Sequence, residues 1–127
     1  MADQALGLMA QNLTKRFTGS GSDVLALDGI NLEVPKGGFT SVIGPSGCGK
    51  STLLRILSDL IEPTTGQAEV NGKSPREARE AREFGVVFQA PTLLPWRTVL
   101  KNVTLPLQVM KVDRADRAKT ATDMLEL

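Results

Sequence analysis

The chain has 127 residues, 41% of them hydrophobic, which suits one compact domain or part of a larger one and excludes a disordered tail. Fifteen basic residues against fourteen acidic ones leave a formal charge of +1, so the chain-wide electrostatic footprint of a nucleic-acid binder is missing and any phosphate recognition has to be local. A lone cysteine, Cys48, excludes an internal disulfide framework and points to a reducing compartment, and there is no histidine at all.

The start, MADQALGLMAQNLTKRF, carries an early Asp3 and no basic stretch ahead of an apolar one, so it does not read as a signal peptide. No apolar run approaches the roughly 18 residues that a membrane span requires. Two segments, LGLMAQNLTKRF and VLALDGINLEV, alternate apolar with polar positions and are joined by the turn-rich GSGSD, which predicts a two-stranded antiparallel unit. After the break PKGGF, the short apolar run TSVIG at 40–44 has the character of a buried strand in a parallel sheet. A glycine-rich loop follows, then KSTLLRILSDL, whose Leu53, Leu54, Ile56, Leu57 and Leu60 cover one broad helical face before EPTTG ends the element. QAEVNGK predicts a strand with an Asn71-Gly72 turn, SPREAREARE an exposed helix with Arg76–Glu80 and Arg79–Glu83 pairs four residues apart, and FGVVFQ a second buried strand. Thr98 is placed to cap VLKNVTLPLQVM, where Pro106 limits or kinks the helix, and DRADRAKTATDMLEL predicts a last amphipathic helix.

Residues Gly44, Pro45, Ser46, Gly47, Cys48, Gly49, Lys50 and Ser51 fit G-x-x-x-x-G-K-[ST] at every position, with an apolar run before and a helical pattern after. Glycines let the backbone turn tightly around an anion, so N–H groups from Gly47 to Thr52 can converge on phosphate oxygens, helped by the positive end of the helix dipole. Lys50 puts a cation on the β- and γ-phosphates, and the Ser51 hydroxyl is a hard oxygen ligand suited to Mg²⁺.

The whole chain resembles the N-terminal half of the ATP-binding subunit of an ABC transporter. The resemblance rests on LTKRF upstream of the loop, on the block from ALDGINLEV through PTTG to NGK at 26–73, and on GVVFQAPTLLPW. It implies an α/β fold, a P-loop NTPase core with an N-terminal antiparallel β subdomain, incomplete at this length. By this likeness residues 1–39 form the antiparallel subdomain, 40–97 the P-loop core through the Q-loop, and 98–127 the start of the helical subdomain. It further implies ATP and Mg²⁺ as cofactors, with Phe17 stacking on adenine and Gly44, Pro45, Ser46, Gly47, Cys48, Gly49, Lys50, Ser51 and Thr52 around the phosphates. Gln89 would be the Q-loop glutamine, contacting Mg²⁺ and the attacking water, so Lys50 and Gln89 are the catalytic candidates; a core phenylalanine and a polar strand end are the plain alternatives for Phe17 and Gln89. QAPTLLPWRTVLKNVTLPL is similar to importers of nitrate, alkylsulfonates, taurine and related solutes, with Leu93, Leu94, Pro95 and Trp96 as candidates for the surface that meets a membrane-spanning permease subunit.

The same resemblance implies a second ATP-binding subunit in a dimer, and a cytoplasmic place on the inner face of the plasma membrane. Three parts of the family's hydrolytic apparatus do not occur after Gln89: a serine followed by two glycines, an apolar run closed by Asp-Glu, and a histidine. The chain as given is therefore expected to bind nucleotide without turning it over. A non-hydrolysing nucleotide-binding module that docks on a membrane protein stays open as the alternative reading, whereas a small P-loop kinase would need a lid for which no arginine-rich pattern exists.

Overall fold

The computed structural model describes residues 5–19, 21–90 and 92–127. The reading of the first residues around Asp3, the Ser20 position of the predicted turn and Pro91 of the segment after Gln89 lie outside the described residues. The chain divides into two compact units, Met1–Val86 and Val87–Leu127.

The first unit is built on a three-stranded antiparallel sheet of order β2-β1-β3, in which β1 (Leu6–Phe17) pairs with both β2 (Val24–Pro35) and β3 (Thr65–Val70). The predicted antiparallel pair is thus present, but its alternation is not simple. Ala10 and Leu13 are both buried although three residues apart, and strict alternation would send them to opposite faces. A bulge resolves this: the pairing shifts between Ala10 and Leu13, where Asn12 takes a φ of 47° and donates its N–H to Asn31 Oδ1 at 2.9 Å. The extra residue resets the phase, so that Leu13, Lys15 and Phe17 continue along the face that Ala10 occupies. The Lys15 ammonium stands 5.1 Å from the Phe17 ring centroid, as neighbours on one face would.

Helix α1 (Lys50–Leu57) lies on that face and seats Leu53, Ile56 and Leu57 among Ala10, Leu13 and Leu27, with Leu8, Ile30, Leu32, Ile61 and Ala68 packed around them. The expected apolar face is narrower than its sequence pattern: Leu54 and Leu60 are exposed, because a sheet covers only one side of the helix and leaves these two turned outward. The helix ends in a left-handed residue, Asp59 (φ 55°), with Asp59 N–H donating to Ile56 O and Leu60 N–H to Arg55 O, the paired bonds that close a helix C-terminus.

At the end of β3, Asn71 and Gly72 take φ values of 53° and 74° and carry the two-residue turn from Val70 to Lys73, as predicted. Helix α2 (Pro75–Glu80) begins with a capping box, in which Glu77 N–H donates to Ser74 Oγ and Ser74 N–H to the Glu77 carboxylate. The Ser74 hydroxyl, donating to the Glu77 carboxylate at 2.6 Å, and then the Ser74 N–H hold the Glu77 carboxyl below its ordinary range, and Lys73 and Asn71 do the same for Glu83. The predicted Arg76–Glu80 and Arg79–Glu83 pairs do not form. Arg79 instead meets Asp59 at 2.8 Å and Arg76 meets Glu62 at 3.2 Å, while Glu83 pairs with Lys73. Tertiary partners on the end of α1 compete with neighbours on the same short helix, and they prevail.

The larger correction concerns TSVIG and FGVVFQ. Neither is a strand, and neither is buried: Ile43 is 92% exposed and Val87 99%. A strand in a parallel sheet is stabilised by partners along its edges, and the only sheet among the described residues is the antiparallel one. Hydropathy marks both segments for burial without supplying a partner, so the expected strand, helix, strand recurrence is not realised.

In the second unit, Thr98 caps α3 (Val99–Val103), its hydroxyl accepting from Lys101 N–H at 3.3 Å. Pro106 sits in the first turn of α4 (Leu105–Val109), so the predicted helix is divided at Thr104. Helix α5 (Arg114–Leu125) is capped by Asp113 and buries Ala121. No described helix is long and apolar enough to cross a membrane.

Candidate phosphate-binding site

The loop at 44–49 joins the core through Gly49. Its φ is 100°, and a β-carbon there would lie 2.4 Å from the Ala26 carbonyl oxygen and 2.9 Å from Leu27 Cδ2. Only glycine allows α1 to begin this close to β2. The sequence around Leu27 therefore fixes where the helix N-terminus stands.

From Gly49 the chain enters α1 with no side-chain cap, and Leu53 N–H is the first to find a helical acceptor, Gly49 O at 2.9 Å. The N–H groups of Gly47, Gly49, Lys50, Ser51 and Thr52 meet no protein acceptor among the described residues. Cys48 N–H is turned back to Pro45 O at 3.3 Å, which makes the tight turn of the loop. Lys50 curls over the same loop: Nζ donates to Gly44 O at 2.6 Å and to Pro45 O at 2.8 Å, and lies 3.5 Å from Cys48 Sγ. One positive charge and a row of free donors are thus gathered at a helix N-terminus, the arrangement that binds anions. The exposed Ser51 hydroxyl makes no hydrogen bond to the described residues and is available to a hard cation. These groups fit the phosphates of a nucleotide. For Mg²⁺ the chain itself offers Ser51 as an oxygen ligand, and no cluster of three or more acidic, cysteine or histidine side chains occurs among the described residues.

Phe17 is not the core residue that was its plain alternative, since it stays 41% exposed at the end of β1. It pairs with Val24, two residues before Ala26, whose carbonyl abuts Gly49. Two strand residues span roughly 7 Å. Phe17 and the loop therefore stand at the same end of the sheet, and alternation from Leu13 puts the ring on the face that carries α1. Gln89 lies in a bend of the second unit and is exposed. Leu93, Pro95 and Trp96 are exposed too, Trp96 to 76%.

Asn102 is a residue that sequence reasoning passed over. Its side-chain amide donates to the carbonyls of Leu94, Arg97 and Thr98, and its oxygen accepts from Leu94 N–H at 2.8 Å. It thereby clasps the turn that displays Trp96. A lone asparagine inside a helical pattern gives no signal of this.

The exposed Cys48 thiol sits within the loop, with Sγ where a β-carbon on Gly44 would come within 2.6 Å. A maleimide added there fills the mouth of the loop and displaces Lys50 Nζ, so labelling and nucleotide should exclude one another. With MgATP at about ten times its Kd, the labelling rate should fall about tenfold by mass action. Equal rates with and without MgATP would contradict this placement of the ligand.

The family profile described as ABC transporter matches residues 27–127, and the chain belongs to that family. An uncharacterized ABC transporter ATP-binding protein of Methanocaldococcus jannaschii, MJ0412, is 48% identical over 94% of this chain and 44% of its own length. The methionine import ATP-binding protein MetN 1 of Burkholderia orbicola is 43% identical over 92% of this chain and 36% of its own. Among solved structures, the dimeric ATP-binding cassette MJ0796 in a post-hydrolysis state with ADP and Pi superposes with a TM-score of 0.82 at 34% identity, over 94% of this chain and 56% of that one. The fold is that of such cassettes, and the chain spans about half or less of the length of these relatives.

Proposed function

We propose that this chain is the nucleotide-holding part of the ATP-binding subunit of an ABC importer. The observation that carries the reading is the row of free N–H groups from Gly49 to Thr52 beside the tethered Lys50 ammonium. In this assignment the loop backbone and Lys50 grip the β- and γ-phosphates. Ser51 is the oxygen ligand for Mg²⁺, which when bound offsets charge between those phosphates; Gln89 keeps, from the family resemblance of its sequence alone, the role of the Q-loop glutamine. Phe17 stacks on adenine, supported by its exposure and by its place at the loop end of the sheet. The exposed Leu93, Pro95 and Trp96, with Leu94 pinned by Asn102, supply an apolar surface for a permease subunit on the cytoplasmic side of the membrane. The dimeric cassette MJ0796 supports a second ATP-binding subunit as partner. The solute is a small one: the segment 89–107 favours nitrate, sulfonates or taurine, while a relative named for methionine import supports only the broader class of small solutes.

Replacing Phe17 tests the adenine contact. Phe17→Ala should weaken ATP and ADP equally, by about 1–3 kcal/mol if base stacking on protein rings in nucleic-acid complexes is the guide. Titration with a fluorescent nucleotide reads the change, with circular dichroism to show that the variant is folded. Unchanged affinity in a folded variant would remove Phe17 from the site.

A further inference from the structure

The second unit contains a cavity of about 490 Å³ that the nucleotide site does not use, lined by Lys101 and Thr104, by Gln108, and by Arg114 and Arg117 of α5, with Leu100 and Ala118 as its apolar wall. Arg114 and Arg117 are three residues apart and so project from one side of the helix. No acidic residue lines the cavity, and none of its three cations forms an ion pair among the described residues. The two acids adjacent in sequence, Asp113, which accepts from Ala115 N–H in capping α5, and Asp116, do not line the cavity and form no ion pair with these cations among the described residues. The Arg117 Nε is also buried without a hydrogen-bond partner. Like charges gathered around one cavity repel, and a buried donor with no acceptor costs free energy; both point to an acceptor of negative charge.

We propose that this cavity is a second anion site, separate from the loop at 44–52, and that it takes a phosphate dianion, free or as a monoester. Two guanidinium forks and an ammonium match the several acceptor oxygens of phosphate. The cavity exceeds a bare phosphate, leaving room along Leu100 and Ala118 for the remainder of an ester.

The test follows the arginine Nε–Hε resonances of the full chain by ¹⁵N–¹H correlation, in a Lys50→Ala background that silences the loop. Inorganic phosphate should move the Arg117 resonance saturably, and chloride at matched ionic strength should not. Because Arg117 Nε is buried, the decisive variant is the double change Lys101→Gln with Arg114→Gln on exposed positions, which should weaken phosphate at least about tenfold. Vesicles of phosphatidic acid that move the same resonance, where phosphatidylcholine vesicles do not, would assign the phosphate to a lipid headgroup. Movement by soluble phosphate alone would assign it to a free ester. No saturable shift, an equal shift with chloride, or full affinity in the double variant would overturn the site.

Discussion

Gly49→Ala should abolish nucleotide binding and destabilise the first unit together. The added β-carbon would stand 2.4 Å from Ala26 O, a backbone atom that cannot rotate away, so α1 must retreat from β2. Retreat undoes the seating of Leu53 and Ile56 and carries the free N–H groups away from their common focus. Overpacking costs about 1–3 kcal/mol, and holding alanine in a sparsely populated backbone region about 1–3 kcal/mol more. Gly47→Ala is the control: its φ is also positive, at 81°, but a β-carbon there meets nothing within 4 Å. It should show the backbone strain alone. Urea unfolding and nucleotide titration of both variants check the contrast, and equal behaviour would deny the Gly49 contact its role.

Leu13→Ala should cost about 2–5 kcal/mol, because Leu13 is 0% exposed at the point where β1, β2 and α1 meet. Domain stabilities are only about 5–15 kcal/mol, so a large share would be lost in one substitution. Leu54→Ala, on the outer side of α1, should stay within about 0.5 kcal/mol. A chemical-denaturation midpoint for each variant reads the difference. A mild effect at Leu13 would mean that the bulge at Asn12 does not set the core phase as described.

The parts of this fold that could be read from sequence are those whose cause is local. The glycine-rich loop ahead of α1, the Asn71-Gly72 turn and the Thr98 cap each need only a few adjacent residues of the right type, and each is found where its residues stand. What was not legible depends on partners distant in sequence. TSVIG and FGVVFQ have strand character but no neighbouring strand among the described residues. Arg76 and Arg79 had carboxylates four residues on, yet turn to Glu62 and Asp59, positions that only the packing of α2 near the end of α1 brings near. The phase of β1 depends on one inserted residue at Asn12, which no alternation pattern announces. Lys101 comes from α3 and Arg114 and Arg117 from α5, so the cavity they line exists only after those helices have docked.

The central proposal is that residues 44–52 hold nucleotide phosphate in this chain, and the expectation carried from the sequence is that they do so without turnover. One measurement tests it most directly: equilibrium MgATP binding and phosphate release followed in the same sample, for the unmodified chain and for Lys50→Ala. Saturable binding by the unmodified chain, loss of that binding in Lys50→Ala, and phosphate release at background in both are expected. Binding that survives Lys50→Ala would move the nucleotide elsewhere. Release above background that disappears with Lys50 would show that a base such as Asp59, Glu62 or Glu69 does the work for which no residue has been assigned.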